Sequence, residues 1–386
     1  MQRAVPFAVV AALVLAAAPG AAQDTHMERA LRVLATTPLV DGHNDLPWAI
    51  RQSESAPHDV EAPQHDLRAT TPFHTDLARL RAGRVGAQFW SVYIPYEAVE
   101  EGAAKVQLEQ IDIANQIIAK YPEALELALT ASDVESAFGG GRIASMLGME
   151  GGHAIENSLG ALRAFYDMGV RYMTLTHNGT LDWADSCCDD ARHGGLSEFG
   201  REVVREMNRM GMLVDISHTS PETMNDVLDV AEAPVIWSHA SARGVHDHAR
   251  NVPDQVLRRL PENGGVVMVT FVPSFLTANP QATIADVADH IDHIANLAGV
   301  DHVGIGSDFD GIDSTPVGLE DVSTFPALFA ELSRRGWTEE DLAKLAGENV
   351  LRAWREAEAV ARRLQRERPP STKTIQEMDG TIGEDR

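Results

Sequence analysis

Seven ionisable residues stand at or just past the ends of short apolar runs. His43 and Asp45 close "PLVDGHND", and Glu150 closes "IASMLGME". His177, His218 and His239 end "RYMTLTHN", "GMLVDISH" and "PVIWSHA", and Asp308 lies in "HVGIGSDFDG". Residues two apart on a strand face the same way, so His43 and Asp45 point together. One histidine at a strand end is ordinarily a hydrogen-bonded structural residue. Seven such groups converging on one place are different, because they resist being desolvated together without a cation among them. Three histidines with two or three carboxylates are zinc ligands by type. The set is too large for one tetrahedral ion and suits two, about 3.5–4 Å apart with a shared ligand.

The elements that must bring these residues together recur along the chain. Eight apolar runs, over 38–45, 85–94, 143–150, 171–178, 211–218, 234–240, 264–272 and 302–311, alternate with helical stretches. Several runs are almost continuously apolar, as strands buried on both faces are. Helix signals lie between them. "VQLEQIDIANQIIAKYP" stops at Pro122, and "LSEFGREVVREMNRMG" ends at Gly211. Ser220 with Pro221 starts a helix, as does Thr338 with acids in the first turn, and "ATIADVADHIDHIANLAG" ends at Gly299. Strand–helix alternation implies a parallel sheet, and eight units imply a closed (β/α)8 TIM-like barrel in the α/β class. A doubly wound open sheet is the alternative, but no glycine-rich phosphate turn follows the first run. In a barrel all seven residues would meet at the carboxyl-end mouth, where active sites lie.

A carboxylated lysine bridges the metals of some barrel hydrolases. This chain has four lysines, Lys105, Lys120, Lys344 and Lys373, none at a strand end. A carboxylate must bridge instead, and Glu150, followed by two glycines, is the candidate. The remaining histidines read as structural. His290 and His293 share a helical face with acids and are expected to be solvated. His246 and His248 sit at loop distance from the sixth run, His193 lies in a polar loop, and His153 could support Glu150 from behind.

The chain has 386 residues, 44% of them hydrophobic, with a net charge of −25. That charge argues against nucleic acid and anionic membrane surfaces. The stretch "MQRAVPFAVVAALVLAAAPGAAQ" reads as a secretory signal over residues 1–22, so the protein is expected to be exported, periplasmic or secreted. The barrel domain is expected over 23–366 and a loose polar tail over 367–386. The piece from Arg51 to Gly83 reads as a loop over the site with a short helix. No apolar tail closes the chain, so neither a C-terminal lipid anchor nor a lasting membrane attachment is expected. Cys187 and Cys188 are the only cysteines, which rules out a disulfide framework, and read as loop thiols.

Taken in order, "DGHND", "GMEGGHAI", "LTHN", "VDISH", "WSHASAR", "ARNVPD" and "GSDFDG" resemble the membrane dipeptidase (renal dipeptidase) family of binuclear zinc peptidases. The resemblance runs from about Thr37 to Trp354. It implies one Zn2+ held by His43, Asp45 and Glu150, and a second by Glu150, His218 and His239. It further implies that His177, Arg250 and Asp308 bind substrate, and that Glu150, His177 and Asp308 take part in catalysis. Arg250 comes from the resemblance alone. The implied reaction is hydrolysis of a dipeptide by a metal-bridged hydroxide, with a D-residue accepted at the C-terminal side in some members. A related binuclear amidohydrolase acting on N-acyl amino acids or β-lactams is the alternative, and a homodimer is left open. The chain departs from the family in lacking its disulfide cysteines, and "FVPSF" stands where relatives can place a tyrosine.

Overall fold

The computed structural model describes residues 19–380. The expected signal segment lies outside the described residues over 1–18. All eight apolar runs form parallel strands, and one further strand appears. They are β1 (Leu39–Asn44), β2 (Val85–Ser91), β3 (Leu125–Leu127), β4 (Ile143–Glu150), β5 (Val170–Thr174), β6 (Leu213–Asp215), β7 (Ile236–Ala240), β8 (Val266–Val269) and β9 (Val303–Ile305). β1 pairs with both β2 and β9, and β2 pairs with β4, so eight strands close into a barrel. β3 is the extra strand. It lies against the start of β4, pairing with Ile143 to Ser145. Three residues are too few to show a periodicity, which hides it in the sequence.

The barrel strands are buried along their length. Val40, Phe89, Met146, Tyr172, Ile236 and Met268 belong to one inner cluster, joined by Val350 and Trp354 of the helix Asn349–Glu367. The outer faces meet the surrounding helices in a second, larger core.

Two buried aspartates tie the strand ends together. Asp41 accepts from the backbone N and Oγ of Ser307, each at 2.7 Å, and from Gln88 Nε2 at 3.0 Å. Asp215 accepts from Thr174 Oγ1, from Ser217 N, and from Ser238 N and Oγ at 2.8 and 2.6 Å. Charged hydrogen bonds of this kind are strong and geometrically demanding. They set the register of β1 against β9 and of β5, β6 and β7, just below the mouth.

The helix boundaries follow the sequence signals. Ser220 Oγ accepts from Thr223 N to cap Pro221–Val230. Gly211, at φ +84°, ends Glu198–Met210. Thr338 and Asp341 form a capping box at Glu339–Ala343. The helical run after Thr338 is interrupted by a π-turn over Lys344–Glu348 before it resumes as Asn349–Glu367. Gly347 sits in that turn, and a Cβ there would collide with the Pro38 carbonyl.

Two expectations fail. The described part of the segment after Glu367, residues 368–380, is docked rather than loose. Arg163 donates to Ser371 O, Ile375 is buried, and Asp379 accepts from Ser197 Oγ and Phe199 N. His290 is fully buried rather than solvated. It accepts from Ala242 N at Nδ1 and donates to Leu276 O through Nε2. Ala242, after β7, and Leu276, after β8, close over its ring. Its neighbour His293 pairs with Asp254. Among the described residues, no helix is long and apolar enough to cross a membrane.

Candidate metal centre

Each ligand candidate leaves its strand at the carboxyl end. His43 is the fifth residue of β1, Glu150 the last of β4 and His239 the fourth of β7. His218 follows β6 by three residues and is held at φ +64°, an uncommon conformation for a non-glycine residue. Asp308 and Asp310 are also left-handed, at φ +70° and +66°. Such backbone strain persists only where the surroundings enforce it, and it clusters at functional sites. Here Asp308 N donates to His43 O at 3.1 Å, and Asp310 bonds His74 through its own N and Oδ1.

The three histidines share one arrangement. His43 Nδ1 donates to Tyr172 Oη at 2.8 Å, and that hydroxyl donates onward to Gly42 O. His239 Nδ1 donates to Ser238 Oγ at 2.8 Å, whose own proton goes to Asp215. His218 Nδ1 donates to Asn178 Oδ1 at 3.2 Å. With Nδ1 carrying the proton, the neutral His218 and His239 rings turn Nε2 lone pairs inward, whereas at His43 the pull of Tyr172, Asp45 and Glu150 outweighs burial and raises the pKa well above the ordinary imidazole range.

All three Nε2 atoms converge on Glu150. Its Oε1 lies 3.0 Å from His218 Nε2 and 3.3 Å from His239 Nε2, and its Oε2 lies 3.5 Å from His43 Nε2. His43 Nε2 is also 3.1 Å from Asp45 Oδ2. Burial holds the His218 and His239 pKa values well below the ordinary imidazole range, reinforced at His218 by Arg250 and at His239 by His43. Burial works against the charge of Glu150, but the surrounding histidines, His43 foremost, hold its carboxyl well below the usual range. Lone pairs aimed at a carboxylate repel it, and His43 Nε2 and Asp45 Oδ1 are buried with no hydrogen-bond partner. Cations between these atoms would remove both difficulties, so the donor set fits metal ions.

Three groups could each hold one ion: His43, Glu150 and His239; Glu150, His177 and His218; and His43, Asp45 and Asp308. Glu150 is in two of them. Its Oε2 lies toward His43 and its Oε1 toward His218 and His239. Gly311 keeps this crowded space open, since a Cβ there would collide with Asp45 Oδ2 and Asp308 Oδ1.

The ligands floor a cavity of about 810 Å3, also lined by Trp48, Tyr93, His177, Arg250, Phe275 and Asp308. His177 Nε2 is 3.9 Å from Glu150 Oε1, farther than either ligand histidine on that side, and its ring packs against Tyr93 and His218. Burial lowers the His177 pKa, opposed by Glu150 and aided by Arg250. Arg250 is buried over the Phe275 ring, donates to His239 O through Nη2, and leaves Nη1 without a partner. A buried guanidinium with a free arm suits a carboxylate ligand. At Asp308, desolvation and the charges of Asp45 and Glu150 raise the pKa well above the usual carboxylate value, against the opposing pull of His43.

All eight sequence-derived site residues therefore border one cavity or its floor. His153 does not support Glu150. Its ring turns away, with Nε2 donating to Ile94 O. Tyr172, Ser238 and Asn178, which aim the histidines, escape the sequence reading, because spacing reveals nothing about contacts between strands. Asp41 and Asp215 carry a faint signal, each a lone acid in a "LVD" run two or three residues before a ligand.

A model of the membrane dipeptidase family, peptidase family M19, matches residues 27–368. The probable dipeptidase PvdM from Pseudomonas aeruginosa has the same fold. It superposes with a TM-score of 0.80 at 24% identity, over 88% of this chain and 100% of that one. A dipeptidase described as a family M19 metallopeptidase, dipeptidase AC, gives 0.75 at 28% identity, over 83% and 99%. A metallopeptidase from Rhodobacter sphaeroides, liganded with a phosphinate mimic of the dipeptide L-Ala-D-Ala, gives 0.74 at 27% identity, over 83% and 99%. With nearly the whole barrel matched and a metal-ligand floor beneath its cavity, the chain belongs to the membrane dipeptidase family, peptidase family M19, and is a metallo-dipeptidase.

Proposed function

We propose that the protein is an exported dipeptidase that works with two zinc ions bridged by Glu150 and accepts a D-residue at the C-terminal position. The observation that carries the zinc pair is the split of Glu150, Oε2 toward His43 and Oε1 toward His218 and His239. His43, Asp45 and Glu150 would hold one ion, and Glu150, His218 and His239 the other. Histidine nitrogens and carboxylate oxygens are the donors zinc takes in catalytic sites. Two such ions supply a Lewis acid for the peptide carbonyl and a water acidified to near neutral pH.

The chain's own groups do the rest. Arg250 Nη1 receives the free C-terminal carboxylate, and the Phe275 ring beneath keeps the guanidinium in place. His177, on the cavity wall beside Glu150, donates to the carbonyl oxygen as it gains charge. Asp308, on the cavity wall, faces the substrate's amino end and is placed to pass a proton to the leaving nitrogen. Gripping both ends of a short chain explains selection for dipeptides. The bound L-Ala-D-Ala mimic in the Rhodobacter sphaeroides relative supports a D-residue at the second position. The leading segment over 1–22 supports export.

A panel of L-L and L-D dipeptides, assayed with and without chelator, tests this reading. Chelator-sensitive cleavage of both series is expected. Turnover of N-acyl amino acids or a β-lactam without turnover of any dipeptide would replace the substrate assignment.

A further inference from the structure

One cysteine pair, with Cys188 on the cavity wall, has no part in hydrolysis. Cys187 and Cys188 are both free, and Cys188 is exposed and lines the cavity together with Arg250 and His218. Their Sγ atoms are 2.8 Å apart. Their backbone is tied to two site histidines. Cys187 N donates to His218 O at 2.8 Å. Cys188 N donates to Ser186 Oγ, and that hydroxyl reaches His177 O at 2.7 Å and His218 O at 3.2 Å. Re-aiming the peptide between the two cysteines would therefore pull on the carbonyls of His177 and His218.

We propose that Cys187 and Cys188 form a thiol–disulfide exchange site, which closes to a vicinal disulfide and thereby slows hydrolysis. The co-reactant is a small-molecule disulfide, RSSR. The exposed Cys188 Sγ, as thiolate, attacks one sulfur of RSSR and breaks its S–S bond, and the first RS− leaves and takes up a proton. Cys187 then gives up its proton, and its Sγ attacks Cys188 Sγ and displaces the second RS−, which is protonated in turn. Two cysteine thiols are oxidised and RSSR is reduced to two RSH. Adjacent Cα atoms lie about 3.8 Å apart, against about 4.4–6.8 Å in ordinary disulfides. The closed ring is therefore strained and readily reduced, which makes the change reversible. Closing it must rotate the intervening peptide, whose single N–H, that of Cys188, holds to Ser186 Oγ.

The test uses the metal-loaded protein treated with oxidised glutathione, then with dithiothreitol. Intact mass should fall by two hydrogen atoms with no glutathione adduct, and peptide mapping should place the link at Cys187–Cys188. The kcat/KM for a dipeptide should fall on the order of tenfold at constant metal content and recover on reduction, as small misplacements of site groups do. The Cys187→Ser, Cys188→Ser double variant should be insensitive to the oxidant. An unchanged mass or a persistent glutathione adduct overturns the exchange site. Ring closure with unchanged kcat/KM overturns the link through His177 and His218. The mass readout is independent of the zinc assignment, so the two can fail separately.

Discussion

The Nε2 atoms of His218 and His239 stand 2.9 Å apart, and neither has a proton to offer the other. Their Nδ1 protons are committed to Asn178 and Ser238, and both rings are held neutral, chiefly by burial. Two lone pairs this close are stable only around a cation. The account of the site as a metal centre follows from this pair and from the way Glu150 joins it to His43.

Tyr172→Phe tests how the first ligand is held. It removes only the hydroxyl that accepts the His43 Nδ1 proton. Losing such a partner ordinarily costs about 10–100-fold in metal affinity. Competition against a graded series of chelators should show that weakening at one site of the pair. The ring, packed against Phe89 inside the barrel, keeps the fold.

Arg250 is tested through the substrate as well as the enzyme. If its free Nη1 holds the terminal carboxylate, a C-terminally amidated dipeptide should lose most of its kcat/KM with the wild-type protein. In Arg250→Lys, which cannot make the paired contact, the free acid should fall toward the amide and the amide should change little. Equal losses for both substrates would leave Arg250 a structural cation.

His177→Asn separates a ligand from a group that touches substrate. The variant should keep the wild-type metal content and lose about 10²–10³-fold in kcat, the usual effect of losing one oxyanion donor. Loss of one metal per chain would instead make His177 a ligand, as its place in the candidate group with Glu150 and His218 allows.

His153 gives a pH signature. Burial pushes its pKa down to about 4 from 6.5. Its folded pKa is depressed, so the unfolded chain binds the extra proton between those values. The contribution to stability is present above pH 6.5 and lost as pH falls toward 4, by roughly 3 kcal/mol at about 1.4 kcal/mol per unit. Denaturant titrations should show the wild type losing more stability than His153→Gln across that window.

The barrel was legible because its strands are buried on both faces and read as continuous apolar runs, while caps such as Ser220 and Thr338 mark the helices. The clustering of the candidate ligands was legible because a closed barrel brings strand ends together, so bringing His43, Glu150 and His239 into one group needed only correct strand boundaries. Arg250 could not be found that way. It lies in a loop after β7, and it packs over Phe275 from the short helix Pro273–Leu276 after β8. Tyr172 was hidden for a related reason, since it reads as a core aromatic and its hydroxyl meets His43 only across the barrel interior. His290 was misread because helical spacing does not tell which segment will cover a face.

The central claim is that Glu150 bridges two metal ions, and anomalous diffraction from crystals of the zinc-loaded protein tests it most directly. The account predicts two peaks per chain about 3.5–4 Å apart, one beside His43 and Asp45, the other beside His218 and His239, with the Glu150 carboxylate between them. A single peak, or two peaks of which one makes no contact with Glu150, would contradict it.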